Sequence, residues 1–383
     1  MKHESGFLPA SGVAVLKLEC RRESLFNPAT RVGEETSMSQ TTTRVRVAVD
    51  AMGGDHAPDE IIRGGVMAAR EGQVDVILVG QQDVVEQGLR KEGASADLVH
   101  IVHADEVIRE GEAPALAIRQ KRKSSIVVGT RLIRSGDADV FVSAGSSGAV
   151  AAAAATYLGM VDGMERPTIG GGFSSFAPNI VIMDLGANVD CKPHQMVSFA
   201  IAGTVYARTV FGIENPSVGI LSTGSEEGKG NDLVKEATPL LKESGLNFVG
   251  NIEGNDILMG KANVIVCDGF VGNVVLKFYE SIGDRAKVWL MGKYPRIQGL
   301  VGFLFDKVLP IKKLSYEGEE EGSGLLWGID GVVRIAHGAC YAEHILHGIN
   351  AGRKAVEVDI VGSLKREIAH LRAQGKLQQG GPS

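Results

Sequence analysis

Five glycine-rich polar segments each follow a short run of β-branched residues, and the chemistry they suggest is anion binding. Asp50-Ala-Met-Gly-Gly-Asp-His-Ala-Pro58 comes first and Ser143-Ala-Gly-Ser-Ser-Gly148 second. Asp184-Leu-Gly-Ala-Asn-Val-Asp190, Ser222-Thr-Gly-Ser-Glu-Glu-Gly-Lys-Gly230 and Cys267-Asp-Gly-Phe-Val-Gly-Asn273 follow. Glycine lets backbone amides approach a ligand closely, and free amides at the start of a helix attract phosphate or carboxylate. Gly53 and Gly54 read as a tight turn before a helix opened by Pro58, and Gly145, Ser146, Ser147 and Gly148 as an amide cradle. One glycine after a strand merely turns the chain. Five such segments point to an anion-binding cleft.

None of the five is a nucleotide fingerprint. No GxGxxG opens the first helix, no Walker lysine motif is present, and Ser146 and Ser147 are not in a GxSxG elbow. His56, His194, His337 and His344 are isolated in the sequence, so neither a metal nor a cofactor is expected.

The elements that must position these loops alternate. Strand-like runs fall at 45–49, 74–79, 98–102, 140–142, 180–183, 218–221, 247–249, 264–266 and 332–335. Helix-length stretches include 58–70, 125–135, 149–158, 193–210 and 233–243. Most of the runs lack polar alternation, as strands buried on both faces do. The pattern predicts a doubly wound, mostly parallel α/β sheet, with ligands at the carboxyl ends of its strands. The five loops are therefore expected to meet at one sheet edge.

We expect one catalytic α/β domain over 45–375, a disordered leader over 1–44 and a flexible tail over 376–383. Met38, just before the first strand, is a plausible alternative start. Residues 140–161 carry no charge and are long enough to span a bilayer. Glycine and serine interrupt them and alanine dominates, so they read as a buried strand running into a helix. Between 279 and 316 the rhythm changes to a projecting helical hairpin broken at Tyr294-Pro295. In its second piece Ile297, Leu300, Val301, Leu304 and Val308 keep helical spacing, Phe303 widens the apolar face, and Lys293, Arg296, Lys312 and Lys313 flank it. Leu300, Phe303, Leu304 and Val308 are candidate membrane contacts; a core helix or a dimer contact fits equally well.

At 383 residues, 44% hydrophobic and 22% charged, the chain can bury a sizeable core. A net charge of −6 excludes a global basic field for nucleic acid, so any cation acts locally. Cys20, Cys191, Cys267 and Cys340 are scattered without zinc spacing, which suits a reduced, cytoplasmic protein.

The string Asp50–Pro58 (DAMGGDHAP) resembles the opening of the bacterial phosphate acyltransferases of phospholipid synthesis, the PlsX family. The resemblance continues in order through Glu112-Ala-Pro, Ile118-Arg-Gln-Lys-Arg-Lys-Ser-Ser125, 143–149, Arg166-Pro167, 184–193, 224–231, 250–256, 267–277 and Ala336-His-Gly338. It covers nearly all of 45–350. Where the family has SAGNTGA, this chain has Ser146-Ser147, which keeps hydroxyls and loses an amide. The resemblance implies a Rossmann-like fold similar to isopropylmalate dehydrogenases and phosphotransacetylases, usually as a homodimer. It implies transfer of a long-chain acyl group from acyl carrier protein to inorganic phosphate, with a product that feeds phospholipid synthesis at the membrane.

For that reaction, phosphate is a ready nucleophile and thiolate a tolerable leaving group. What remains is to hold a dianion at the thioester and to stabilise an oxyanion. Lys229, after Glu226-Glu-Gly at a helix opening, is the candidate cation. Asn188, Asn273 and Ser147 are candidate donors; Asp268 and Asp184 orient loops or donors. Asp50, Ser143 and His56 shape the first loops, and Gly224, Glu226 and Gly272 border the substrate. Arg119, Lys121, Arg122 and Lys123 form either a solvated helix face or a contact for an acidic carrier protein. Rival readings are a phosphotransacetylase acting on acyl-CoA, a metal-dependent β-decarboxylating dehydrogenase and a non-enzymatic lipid-binding module.

Overall fold

The computed structural model describes residues 44–95, 97–174, 177–293 and 323–377. Leu300, Phe303, Leu304 and Val308, the leader up to residue 43 and the tail from 378 lie outside these. Eleven strands form one sheet: β1 (Val45–Asp50), β2 (Val74–Gly80), β3 (His100–His103), β4 (Val140–Ser143), β5 (Thr168–Ser174), β6 (Ala177–Met183), β7 (Ser217–Leu221), β8 (Asn247–Ile252), β9 (Val264–Val266), β10 (Gly324–Trp327) and β11 (Val332–Ile335). Their order is β3-β2-β1-β4-β11-β10-β5-β6-β9-β7-β8. The helices are α1 (Asp59–Glu71), α2 (Gln82–Lys91), α3 (Pro114–Gln120), α4 (Ser125–Ser135), α5 (Ser147–Tyr157), α6 (Pro193–Thr209), α7 (Asp232–Glu243), α8 (Gly254–Ile257), α9 (Gly269–Lys293), α10 (Ala342–Glu357) and α11 (Ile360–Ala373).

All nine expected strands are present, and pairing is mostly parallel. Residues 140–157 are β4, a turn and α5, with 158–161 in the loop that follows, and no helix among the described residues is long and apolar enough to cross a membrane. The hairpin's first piece differs in extent. It is the second half of α9, a continuous 25-residue helix that begins at Gly269.

One expectation is corrected: the loops do not leave a common edge in one direction. The unanticipated strands β10 and β5 insert antiparallel pairings, β11 with β10, β10 with β5 and β5 with β6. Three reversals leave β6, β9, β7 and β8 running opposite to β3, β2, β1, β4 and β11. Val49, Val142, Arg334, Leu325, Gly170, Met183, Val266 and Ile220 lie in one row across the sheet. β1, β4 and β11 end one residue beyond that row; β6 and β9 end on it, heading the other way. The two sets of loops thus start at nearly the same level on either side of β10 and β5.

Alternate strand residues supply the two faces. On one face, a single apolar cluster joins Val47, Val142, Leu325, Met183 and Ile220 with α1, α6, α10 and α11. The opposite face carries two clusters. Phe141, Leu326 and Ile335 pack with α4 and α5, while Ile182, Ile265 and Tyr279 gather around α8 and α9.

Candidate active site

A cleft of about 820 Å³ opens between those two clusters, with Ile335 and Ile169 on one side and Leu185 and Leu276 on the other. Gly53, Gly54, Gly145, Ser146 and Ser147 line it from the β1 and β4 side, and Asn273 and Lys277 from α9.

Beneath the first group lies Asp50, which is fully buried. The Ser143 hydroxyl donates to its Oδ2 (2.7 Å), the Met52 amide to its Oδ1 (3.1 Å), and the Gly145 amide to Ser143 Oγ (3.1 Å). Burial raises the Asp50 carboxyl above its usual range, opposed by hydrogen bonds from Ser125, Ser143, Met52 and Gly53. This chain of bonds ties the first two loops together, and the Asp55 amide ties the first of them to the loop after β11 by donating to the Gly338 carbonyl (2.7 Å).

α5 then starts at the cleft. The first-turn amides of a helix have no intrahelical acceptor and carry its positive dipole end. Ser146 precedes them, only 7% exposed, and its hydroxyl has no partner among the described residues. Gly148 packs on Pro114 of α3. His56 does not line the cleft; it stacks on Tyr341, with ring centroids 4.5 Å apart at 23°.

On the far side the hub is Asp184, also fully buried. Its carboxylate accepts the amides of Ile169 (3.2 Å), Gly186 (3.1 Å), Ala187 (3.0 Å) and Asn188 (2.8 Å), plus the Asn188 side chain (2.7 Å). Burial pushes this carboxyl up against those bonds. Asn188 Nδ2 also donates to the Pro167 carbonyl (2.7 Å), so both its hydrogens are committed and none faces an anion. Asp268 Oδ1 accepts the Val271 amide (2.9 Å) and caps α9. Any Cβ on Gly272 would run into the Asp184 carbonyl, so glycine is what lets α9 lie against this loop. That approach presents Asn273, whose amide has no hydrogen-bond partner among the described residues, to the cleft.

Lys229 does not line the large cleft. It is exposed on the 222–230 loop with Glu226, its stem packed beside Gly224, and Asn251 Nδ2 braces the loop by donating to the carbonyls of Gly224 (3.2 Å) and Glu226 (2.9 Å). This loop borders a second cavity of about 300 Å³, lined by Ser222, Thr223, Gly230 and Asp268 among others.

The basic segment on and after α3 is only partly free. Lys121 donates to Glu112 (2.6 Å) and to the Val107 carbonyl (2.9 Å), and Lys123 pairs with Asp105 (2.9 Å). Arg119 and Arg122 are exposed without an acidic partner among the described residues, and Lys121 between them holds the Val107–Glu110 segment that lines the cleft.

Sequence reasoning passed over Lys277 and Arg109 and read His337 and His344 only as isolated, His337 as structural; all four line the cleft. Lys277 lies one helical turn after Asn273, a spacing that signals a shared face. The Ala339 amide donates to His337 Nδ1 (3.2 Å) and the Tyr341 amide to His344 Nδ1 (3.1 Å). Each neutral ring therefore keeps its proton on Nε2 and is a donor there.

No thiol among the described residues is activated. Burial, then the Asp184 charge, raises Cys191 to about 11 and Cys267 well above the usual thiol value; burial likewise raises Cys340 to about 11. Among the described residues, no group of three His, Cys, Asp or Glu side chains could hold a metal ion.

Comparison with known proteins places this architecture. The chain resembles a phosphotransacetylase from Streptococcus pyogenes (TM-score 0.56, 17% identity, 85% of this chain and 94% of that one). It also resembles a branched-chain phosphotransacylase from Enterococcus faecalis (TM-score 0.51, 12% identity, 82% and 99% covered). At such identities the likeness is one of fold. In sequence, it is 41% identical over 342 residues to the phosphate acyltransferase of Pelotomaculum thermopropionicum, covering 86% of this chain and 97% of that protein. It is 44% identical over 320 residues to that of a Cyanothece strain, covering 82% and 93%. A family model described as "Fatty acid synthesis protein" matches residues 45–362. The chain belongs to this family, the PlsX family that its motifs resemble.

Proposed function

We propose that the protein transfers a long-chain fatty acyl group from acyl carrier protein to inorganic phosphate. The observation that carries this reading is the cleft itself: the unpaired first-turn amides of α5 and the unpartnered Ser146 face Asn273 and Lys277 across it. The phosphate acyltransferase relatives support acyl transfer to phosphate as the reaction class.

In this mechanism a hydrogen phosphate oxygen attacks the thioester carbonyl carbon. The C–S bond breaks with its electron pair leaving on sulfur, and the phosphate proton ends on the departing thiol. Neither half needs a strong acid or base. The α5 amides and Ser147 hold phosphate, and Asn273 and Lys277, which line the same cleft, stabilise the oxyanion. Asp50 and Asp184 act from behind, by fixing the loops. Arg119 and Arg122 give an acidic carrier protein a place to dock. The enzyme works as a cytoplasmic homodimer held peripherally at anionic membrane through the 297–309 segment.

The test is incubation with palmitoyl-carrier protein and phosphate, followed by detection of acyl phosphate. Faster turnover of short acyl-CoA would favour the phosphotransacetylase reading, and no product from any donor would sink both. For the membrane contact, Leu304→Glu should weaken sedimentation with anionic liposomes while soluble turnover persists. Conversion to a monomer or unfolding would instead assign that segment to an interface or core.

A further inference from the structure

We propose that the 300 Å³ cavity at the carboxyl ends of β7 and β9 is the pocket for the alkyl chain of the acyl substrate, and that it sets chain-length preference. The inference rests on the acyl transfer proposed above and names where the chain goes.

The cavity is apolar in depth and polar at its mouth. Met196 (0% exposed), Ile220 (1%) and Val234 (8%) form its floor, while Thr223 and Asn231 at the opening are exposed. No lysine, arginine or histidine lines it, so an anion would lose its hydration there without compensation. An alkyl chain loses nothing by leaving water and gains from burial.

The mouth suits the polar end of the same substrate. Thr223 and Asn231 bring a hydroxyl and an amide to the opening, while Ser222 Oγ beside them is shut off from solvent and has no hydrogen-bond partner among the described residues. Gly230, next to Lys229, lies against this hydroxyl and borders the opening. Asp268 and Val271 connect the cavity to the first turn of α9, the helix that carries Asn273 to the larger cleft.

Volume limits the occupant. At roughly 30 Å³ per water-sized group, a cavity of 300 Å³ takes about ten carbons. Longer chains must extend past it and gain nothing further from it.

The experiment is kcat/KM at saturating phosphate for butyryl, octanoyl, decanoyl and palmitoyl donors on one carrier, for wild type, Val234→Phe and Val234→Ala. In wild type each added methylene should raise kcat/KM about fourfold until about ten carbons, after which the curve flattens. Val234→Phe should lower the decanoyl-to-butyryl ratio by about fifteenfold, the burial of two methylenes lost. Val234→Ala should move the plateau to longer chains. Ratios cancel any general loss of folded enzyme, and if Val234→Phe yields no soluble protein, Val234→Ala decides. Product with ratios unchanged in the variants, or a wild-type rise unbroken to palmitoyl, overturns the pocket alone. Absence of acyl phosphate from every donor overturns the reaction, and the pocket with it.

Discussion

Gly53 and Gly145 meet backbone to backbone: a Cβ on Gly53 would lie 2.7 Å from the Gly145 nitrogen and 2.5 Å from Asp50 Oδ2. The first two anion loops are thus in contact through an absent side chain. Gly53→Ala should separate them, with an overpacking cost of about 1–3 kcal/mol and a raised KM for phosphate. Thermal melting and steady-state kinetics check this; an unchanged KM for phosphate would show that the loops need not touch.

Lys277→Met should lower kcat by about a hundredfold, the cost of ~3 kcal/mol for a lost contact to a developing oxyanion. Raised phosphate should not restore it. Restoration by phosphate would instead give Lys277 to the nucleophile.

Asn188 and Asn273 should separate cleanly. Asn188 has both amide hydrogens committed to Asp184 and Pro167, so Asn188→Ala should cost stability, about 1–3 kcal/mol for unsatisfied buried acceptors. Asn273→Ala should leave the melting temperature near wild type and reduce turnover. Equal melting temperatures with reduced turnover in both would return Asn188 to the donor set.

Direct attack by phosphate predicts no acyl-enzyme. The Cys267 thiol is fully buried and held protonated, so Cys267→Ala should keep activity. Mass spectrometry of enzyme mixed with acyl donor and no phosphate should find no adduct. A kinetically competent adduct with ping-pong kinetics would reverse this.

The Asp50 carboxyl is raised by burial, so the folded protein holds its proton more tightly than the unfolded chain does. Its contribution to stability is full below the unfolded carboxylate pKa and declines as pH rises through the folded value. Asp50→Asn lacks that term, so its deficit against wild type should narrow from pH 4 to neutrality. A deficit that widens over the same range, measured by urea unfolding, would reverse the sign of the shift.

The nine expected strands were legible because burial on both faces leaves near-continuous apolar runs. β5 was not, since Gly170, Gly171 and Gly172 carry no strand preference; a Cβ on Gly170 would strike the Ile182 carbonyl. β10 has only four residues. Missing both concealed the reversal of direction, because apolar runs do not encode which way a strand points. The loops were identifiable from composition, but not which polar atoms are already taken. Nothing in 184–188 shows that the chain curls until Asn188 meets Asp184, whereas the spacing of Asn273 and Lys277 did carry a signal.

The position of β11 also bears on how the molecule assembles during synthesis. β1, β2, β3 and β4 emerge first, yet β11, made of residues 332–335, is the strand that joins β4 to β10. Until it arrives, the two halves of the sheet lack their connecting rung, and the walls of the cleft have no common frame. Such sequence-distant pairing slows folding. A nascent chain released before about residue 335 would carry nearly every loop named above and no complete site.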